Sequence, residues 1–171
     1  MTERMDALAL LKQQVATAND LMTQVFAGVN QIQAGWRLEG STANPIGATF
    51  LHAYFNEDRV VQEYAQGQRP LWDTAGWRER LHYDPSAPWS PATLAVTDPE
   101  ACRAYAVDVH AATRRYLESL QPGALEREIE GPRGTRPLFI PLSWLLVTHK
   151  LGHMGEIAAL LGCQGVKGFP F

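Results

Sequence analysis

The sequence predicts an all-α protein, a four-helix bundle with one long crossover connection, and three observations carry that prediction. Four segments of about 18 to 24 residues place apolar side chains at intervals of three and four, the period of a helix with one buried face. Two of them open on Asn-Pro or Asp-Pro, a capping residue followed by the residue best suited to a first helical position. Between the second and third of these segments, residues 67–99 lose the period and are interrupted by Pro70, Pro85, Pro88, Pro91 and Pro99, so they read as the crossover.

The first helix runs from about Asp6 to Val29, with Leu8, Leu11, Val15, Ala18, Met22, Val25 and Val29 on one face. Gly35, Gly40 and the run GSTANP then interrupt the chain. Asn44 caps the second helix and Pro45 is its first residue; it continues to Ala65, with Ala48, Leu51, His52, Phe55 and Arg59 near a common face. Trp72, Trp77 and Trp89 are too many large aromatics for a free linker, so the crossover is expected to be ordered over one end of the bundle, with a short helix around Thr74 to Leu81. Asp98 and Pro99 open a third helix that reaches Leu120 and carries Tyr105, Val109, Ala112 and Tyr116. After Pro122 and Gly123, two short extended pieces flank the GPRGT turn. Pro141 begins the fourth helix, which runs to Leu161 and stops at Gly162. The tail CQGVKGFPF is expected to tuck Phe169 and Phe171 against the body.

With 171 residues and 46% hydrophobic content, the chain supports one core, and residues 1–171 read as a single domain. A net charge of −3 without a run of like charge gives no reason to expect nucleic acid or an anionic membrane as partner. No basic leader followed by an apolar stretch opens the sequence and no uncharged apolar run is long enough to span a bilayer, so the expected location is cytoplasmic. Cys102 and Cys163 are too few and too distant for a disulfide framework and read as small buried hydrophobes.

The chemistry concentrates in LVTHKLGHMGEI. His149 and His153 lie four residues apart, so on a helix they stack on one face about 6 Å apart. At about 100° per residue, and with His149 at zero, His153 falls near 40°, Glu156 near −20°, and Leu142, Leu146 and Leu160 between about 20° and 60°. The pair therefore continues an apolar stripe and should face the bundle interior or a cleft at one end. Two imidazoles beside leucines are costly unless their nitrogens are satisfied, and a divalent metal satisfies both. Glu156 is placed to orient a ring, bind the metal or handle a proton. By the same count His52 faces inward from the second helix and supplies a third ligand. Three imidazoles suit zinc, nickel, iron or copper, zinc and nickel foremost, and leave a position open, which is the arrangement of a catalytic rather than a closed structural site.

Blander readings stand beside this one. An HxxxH pair also occurs as ordinary core or surface histidines, His82 and His110 read as ordinary polar residues, and Glu57 and Asp58 read as a solvated face. The three tryptophans serve packing or form an apolar wall. No phosphate or dinucleotide loop is present, nor a GxSxG nucleophile. In HKLGH, Lys150 stands where an HExxH peptidase carries its glutamate, and a lysine cannot serve as that general base.

NPIGATFLHAYFNEDRVV, followed about a hundred residues later by LLVTHKLGHMGEIAALLG, resembles the DinB/YfiT-like superfamily of four-helix metal proteins, and the resemblance extends over essentially the whole chain. It implies a divalent metal held by His52 near the start of the second helix and by His149 and His153 on the fourth. Members commonly follow the last histidine with a small basic residue, glycine and glutamine; here Met154, Gly155 and Glu156 follow, so the glycine is kept and the polar residue is acidic. Characterised members include bacillithiol transferases and mycothiol-dependent maleylpyruvate isomerase, and family members often form homodimers. The resemblance thus implies a metal-dependent enzyme that transfers a low-molecular-weight thiol cosubstrate to an electrophilic small molecule. On this reading Glu156 is an orienting or proton-accepting group and Arg59 an anchor for a carboxylate. A non-catalytic metal- or ligand-binding bundle and a metal-dependent hydrolase are the alternatives.

Overall fold

The computed structural model describes residues 6–83, 98–121 and 123–169 and is a predominantly α-helical bundle with long connections. Helix α1 spans Ala7–Phe26 and is capped by Asp6, whose carboxylate accepts from the Ala9 amide at 2.7 Å. It ends three residues before the expected Val29. A short helix that the periodicity did not predict, α2 (Gln31–Gly35), follows. Asn30 and Gln33 form a reciprocal capping box there, which outweighs the terminal glycine.

Helix α3 spans Ile46–Asp58 and continues as a π-helical segment, Arg59–Tyr64. Its boundary residue is Pro45 itself, so Asn44 lies outside the helix and does not cap it. The crossover begins with two helices rather than one, α4 (Leu71–Thr74) and α5 (Trp77–Leu81). Gly76 separates them with φ +74°, a conformation that glycine adopts without strain. Trp89 and Phe171 lie outside the described residues. Helix α6 (Pro99–Ser119) starts as expected, with Asp98 accepting from the Ala101 amide at 2.9 Å and proline in the first turn.

A 3₁₀ turn, Ala124–Glu126, leads into a two-stranded antiparallel hairpin. Strand β1 (Glu128–Ile129) pairs with β2 (Arg136–Pro137), and Glu128 faces Pro137 in the register. The chain then forms α7 (Phe139–Ser143), a second π-helical segment (Trp144–Thr148) and α8 (His149–Cys163). Pro141 is therefore the third helical residue, where its missing N–H costs nothing because first-turn amides have no partner within the helix.

Helix α3 packs against α6 and α8, and α8 against α1. The apolar core divides in two. One part gathers Met22, Phe26, Phe50, Tyr54, Tyr105, Ile157 and their neighbours; the other gathers Leu11, Val15, Val60, Tyr116, Leu142 and Leu146. At the division the long helices carry buried polar residues: Asn19, Glu57 with Asp58 beside it, Thr113 and Lys150. The Lys150 ammonium forms an ion pair with Glu57, donates to Asn19 Oδ1 at 2.6 Å and lies 4.0 Å from the centre of the Tyr54 ring. Burial pushes this lysine well below its ordinary pKa, and contact with the Glu57 carboxylate opposes that shift.

The start of the crossover is tied down by Asp58. Its carboxylate accepts from the amides of Leu71 and Trp72 at 3.0 and 2.9 Å and from the Tyr105 hydroxyl at 2.9 Å. Trp72 is fully buried, edge-on to Phe55 and Tyr105. Asp58 and Glu57, read from the sequence as a solvated face, are thus interior groups at 1% and 0% exposure. Cys102 is buried as expected, whereas Cys163, the last residue of α8, is exposed. Among the described residues no helix is long and apolar enough to cross a membrane.

Candidate metal centre

Two elements build the site. Helix α3 supplies His52 from its second turn, and α8 supplies His149 as its first residue and His153 one turn later. The Nε2 atoms of His52 and His149 are 3.3 Å apart, and those of His149 and His153 are 3.1 Å apart. The ring centres of His52 lie 5.1 Å from both others, and one ligand atom from each of the three residues falls within 4.8 Å of the rest. The three residues predicted from the sequence are therefore brought together.

The fit to a metal can be tested on these spacings. Imidazole nitrogens about 2.1 Å from a tetrahedral metal stand roughly 3.4 Å from one another. The observed 3.1 and 3.3 Å are close to that value. Two imidazole nitrogens facing each other at this distance otherwise need a shared proton, since two lone pairs repel. Burial, followed by the charge of neighbouring histidines, lowers both His52 and His149 to about 4. Both rings are therefore neutral at physiological pH, the form in which imidazole binds a metal.

For His153 the supporting contact favours the ligating tautomer. His153 Nδ1 stands 2.9 Å from Glu156 Oε2, so that nitrogen donates to the carboxylate and Nε2 keeps its lone pair for the convergence point. Glu156 thus lies on the far side of the ring from the other histidines. Asn56, one turn after His52, donates to the His52 carbonyl at 2.8 Å, and its amide nitrogen is 3.2 Å from His52 Nε2. Asn56 was not singled out in the sequence, although its i+4 spacing from His52 put it on the site-facing stripe.

The three rings are half-buried rather than central in the core, and helical phase explains why. The most buried residues of α8 after His149 are Lys150, Ile157 and Leu161. They fall between about 80° and 120° from His149, so the buried stripe is centred nearly a quarter-turn from the histidines. Leu142 and Leu146 misled the count, because the π segment Trp144–Thr148 separates Leu142 from α8 and contains Leu146, shifting their phase relative to the histidines.

Arg59 lies two turns beyond His52 on the same helix, at the start of the π segment. Its guanidinium donates to Glu63 at 2.8 Å and sits 5.1 and 5.8 Å from the centres of the Tyr64 and Phe55 rings. His110 is half-buried on α6 and lowered by burial, while His82 is an exposed residue with φ +48° at the end of α5. Neither belongs to the cluster.

A cavity of about 440 Å³ meets the cluster through Asn56, which contacts His52; none of the three histidines lines it. Asn56 and Arg59 form its edge towards the cluster, and Tyr64, the hairpin, α7 and the second π segment contribute the rest.

The model of the DinB superfamily matches residues 14–157 of the chain. Comparison with curated proteins finds no match. Among solved structures, the crystal structure of a conserved protein from Enterococcus faecalis is similar, with 16% identity over 93% of this chain and 99% of that one and a TM-score of 0.71. At that identity the likeness concerns the fold.

Proposed function

Since this chain belongs to the DinB superfamily, we propose that it is a divalent-metal-dependent enzyme acting on a small molecule, with His52, His149 and His153 as ligands. The observation that carries the reading is the convergence of three imidazoles on one point. Zinc or nickel suits this donor set best. His52, His149 and His153 would hold the ion, which would supply the Lewis acidity that makes water or a thiol nucleophilic near neutral pH. In this reading the nucleophile is a low-molecular-weight thiol and its acceptor an electrophilic small molecule.

Glu156 holds His153 in the ligating tautomer and would be the proton-accepting carboxylate nearest the site. Arg59 would hold a substrate carboxylate by exchanging it for Glu63. As a whole the reading describes a single-domain, cytoplasmic enzyme that works as a homodimer on small molecules, without nucleic acid or membrane.

A non-catalytic metal-binding bundle would be expected to close the coordination sphere with a fourth protein ligand. The candidate, Glu156, is engaged at His153 Nδ1, away from the convergence point, which favours the enzyme. A hydrolase would use the same donors with water as nucleophile.

Elemental analysis of gently purified protein, followed by turnover with a panel of cellular thiols and of ester and amide substrates, tests the proposal. About one metal per chain and thiol-dependent turnover are expected, and His149→Ala should weaken metal binding by more than about 100-fold. Unchanged metal affinity in that variant would refute the ligand assignment; bound metal without turnover on any substrate would favour the binding bundle.

A further inference from the structure

The cavity that meets the cluster through Asn56 is assembled from the least regular parts of the described chain. Arg59 and Tyr64 bring the first π segment to it, Trp144 and Leu145 the second, and the hairpin tip supplies Arg133 and Arg136. π-helical turns cost good hydrogen-bond geometry and recur at functional sites. Two of them lining one cavity is an arrangement that packing alone does not require.

Its charge is one-sided. Three guanidiniums line the cavity and no carboxylate does. Glu63 pairs with Arg59. Arg136 spends Nε and Nη2 on the carbonyl of Arg133, at 3.2 and 2.8 Å, and among the described residues neither Arg133 nor Arg136 meets a carboxylate. The local fold explains why they stand there: the Gly134 amide donates to Gly131 O at 3.0 Å, closing a turn with Pro132 second and Arg133 third. That turn carries Arg133 to the rim. The opposite wall is apolar, and Ile140 and Trp144 leave 37% and 49% of their surface exposed. A volume of about 440 Å³ is in the range of small-molecule sites.

We infer that this cavity is the substrate pocket and that it takes a small organic anion, an apolar or aromatic body bearing a carboxylate or phosphate, with Arg133 and Arg136 holding the anion and Trp144 and Ile140 the body. Placing the reacting end towards Asn56 and the histidines rests on the metal-enzyme reading; anion binding itself does not. Arginine suits this task because its planar fork meets both oxygens of a carboxylate or phosphate. The inference also moves the anion anchor from the ion-paired Arg59 to the hairpin.

Calorimetric titration of the full chain with phenylacetate, phenyl phosphate and the neutral phenylacetamide tests it, both as purified and after chelation of metal. At least one anion should bind about tenfold or more tightly than the amide, before and after chelation. Arg133→Gln should weaken that binding about three- to tenfold, and Trp144→Ala should weaken it as well. The Arg133 side chain is exposed and forms no hydrogen bond or ion pair among the described residues, so its replacement separates recognition from folding. Equal binding of phenylacetamide, or an Arg133→Gln protein with unchanged affinity, would overturn the inference. Anion binding that disappears on chelation and ignores Arg133 would place the anion on the metal, which refutes the pocket and spares the proposed function. Arginine-dependent binding in a protein that carries no metal would do the reverse.

Discussion

Replacing Lys150 with methionine should be among the most damaging single changes in the chain, although it swaps a polar side chain for an apolar one inside a core. Lys150 and Glu57 are both at 0% exposure and Asn19 is at 2%, so water cannot take over the role of a missing partner. Methionine fills much of the space but leaves the Glu57 carboxylate buried without its cation; its second oxygen already has no partner. Breaking a buried ion pair from one side costs about 3–5 kcal/mol. With a urea dependence of about 2 kcal/mol per molar, the unfolding midpoint should fall by roughly 1.5–2.5 M. Glu57→Leu should do similar damage by stranding the ammonium. The double variant should cost no more than the worse single one, because a well-packed apolar pair replaces a buried ion pair at little or no loss. Urea unfolding of the four proteins, with circular dichroism as readout, measures this cycle. If the double variant cost the sum of the two singles, the charges would not be compensating each other and the account of the polar level would be wrong.

Asp58→Ala strands two amides and a hydroxyl, and should cost about 3 kcal/mol or more and raise protease sensitivity within residues 67–83. A protease pattern identical to that of the native chain would show that Asp58 does not hold the crossover. Metal-free protein should lose stability on acidification. His52 and His149 titrate at about 4 when folded against 6.5 when exposed, so between these values the unfolded chain binds more protons and stability falls as pH falls. The decline should begin near pH 6.5 and flatten near pH 4, and a His52→Asn, His149→Asn protein should show a shallower slope; equal slopes would refute it. Gly168→Ala would drive a methyl group into the Ala158 backbone, so the tail should leave α8 at a cost of about 1–3 kcal/mol. An unaltered thermal midpoint would count against that close approach.

The long helices were legible because each carries its apolar residues at helical period, and the Asp98-Pro99 start was read correctly because the cap bond it promises is made. His52, His149 and His153 were legible as a trio, since spacing within one helix and phase on another can be counted without knowing the fold. Other features depend on tertiary contact. Glu57 and Asp58 look like surface residues until Lys150 on one side and the amides of Leu71 and Trp72 on the other give them partners. Lys150 itself falls about 100° from His149, between Ile157 and Leu161, so the phase count held the clue that this lysine is buried. The cavity was not legible, because it joins a hairpin tip to two π segments, and a π turn leaves no mark in apolar periodicity except a slip in phase. Arg59 stands out by its position on the helix face, while Arg133 lies in a stretch that reads as a turn and Arg136 in one that reads as a short extended piece.

That slip in phase has a bearing on how the site could be altered. A π turn amounts to one residue more than the α-helix needs, and each helical residue rotates whatever follows by about 100°. Deleting one residue from Trp144–Thr148 would give a more regular helix at that point. It would also change the azimuth and height of His149 and His153 relative to α7, while His52 on α3 stayed where it was. The aim of the histidine pair is thus encoded in chain length as much as in residue identity, and a sequence retaining all three histidines but lacking that residue would be expected to lose their convergence.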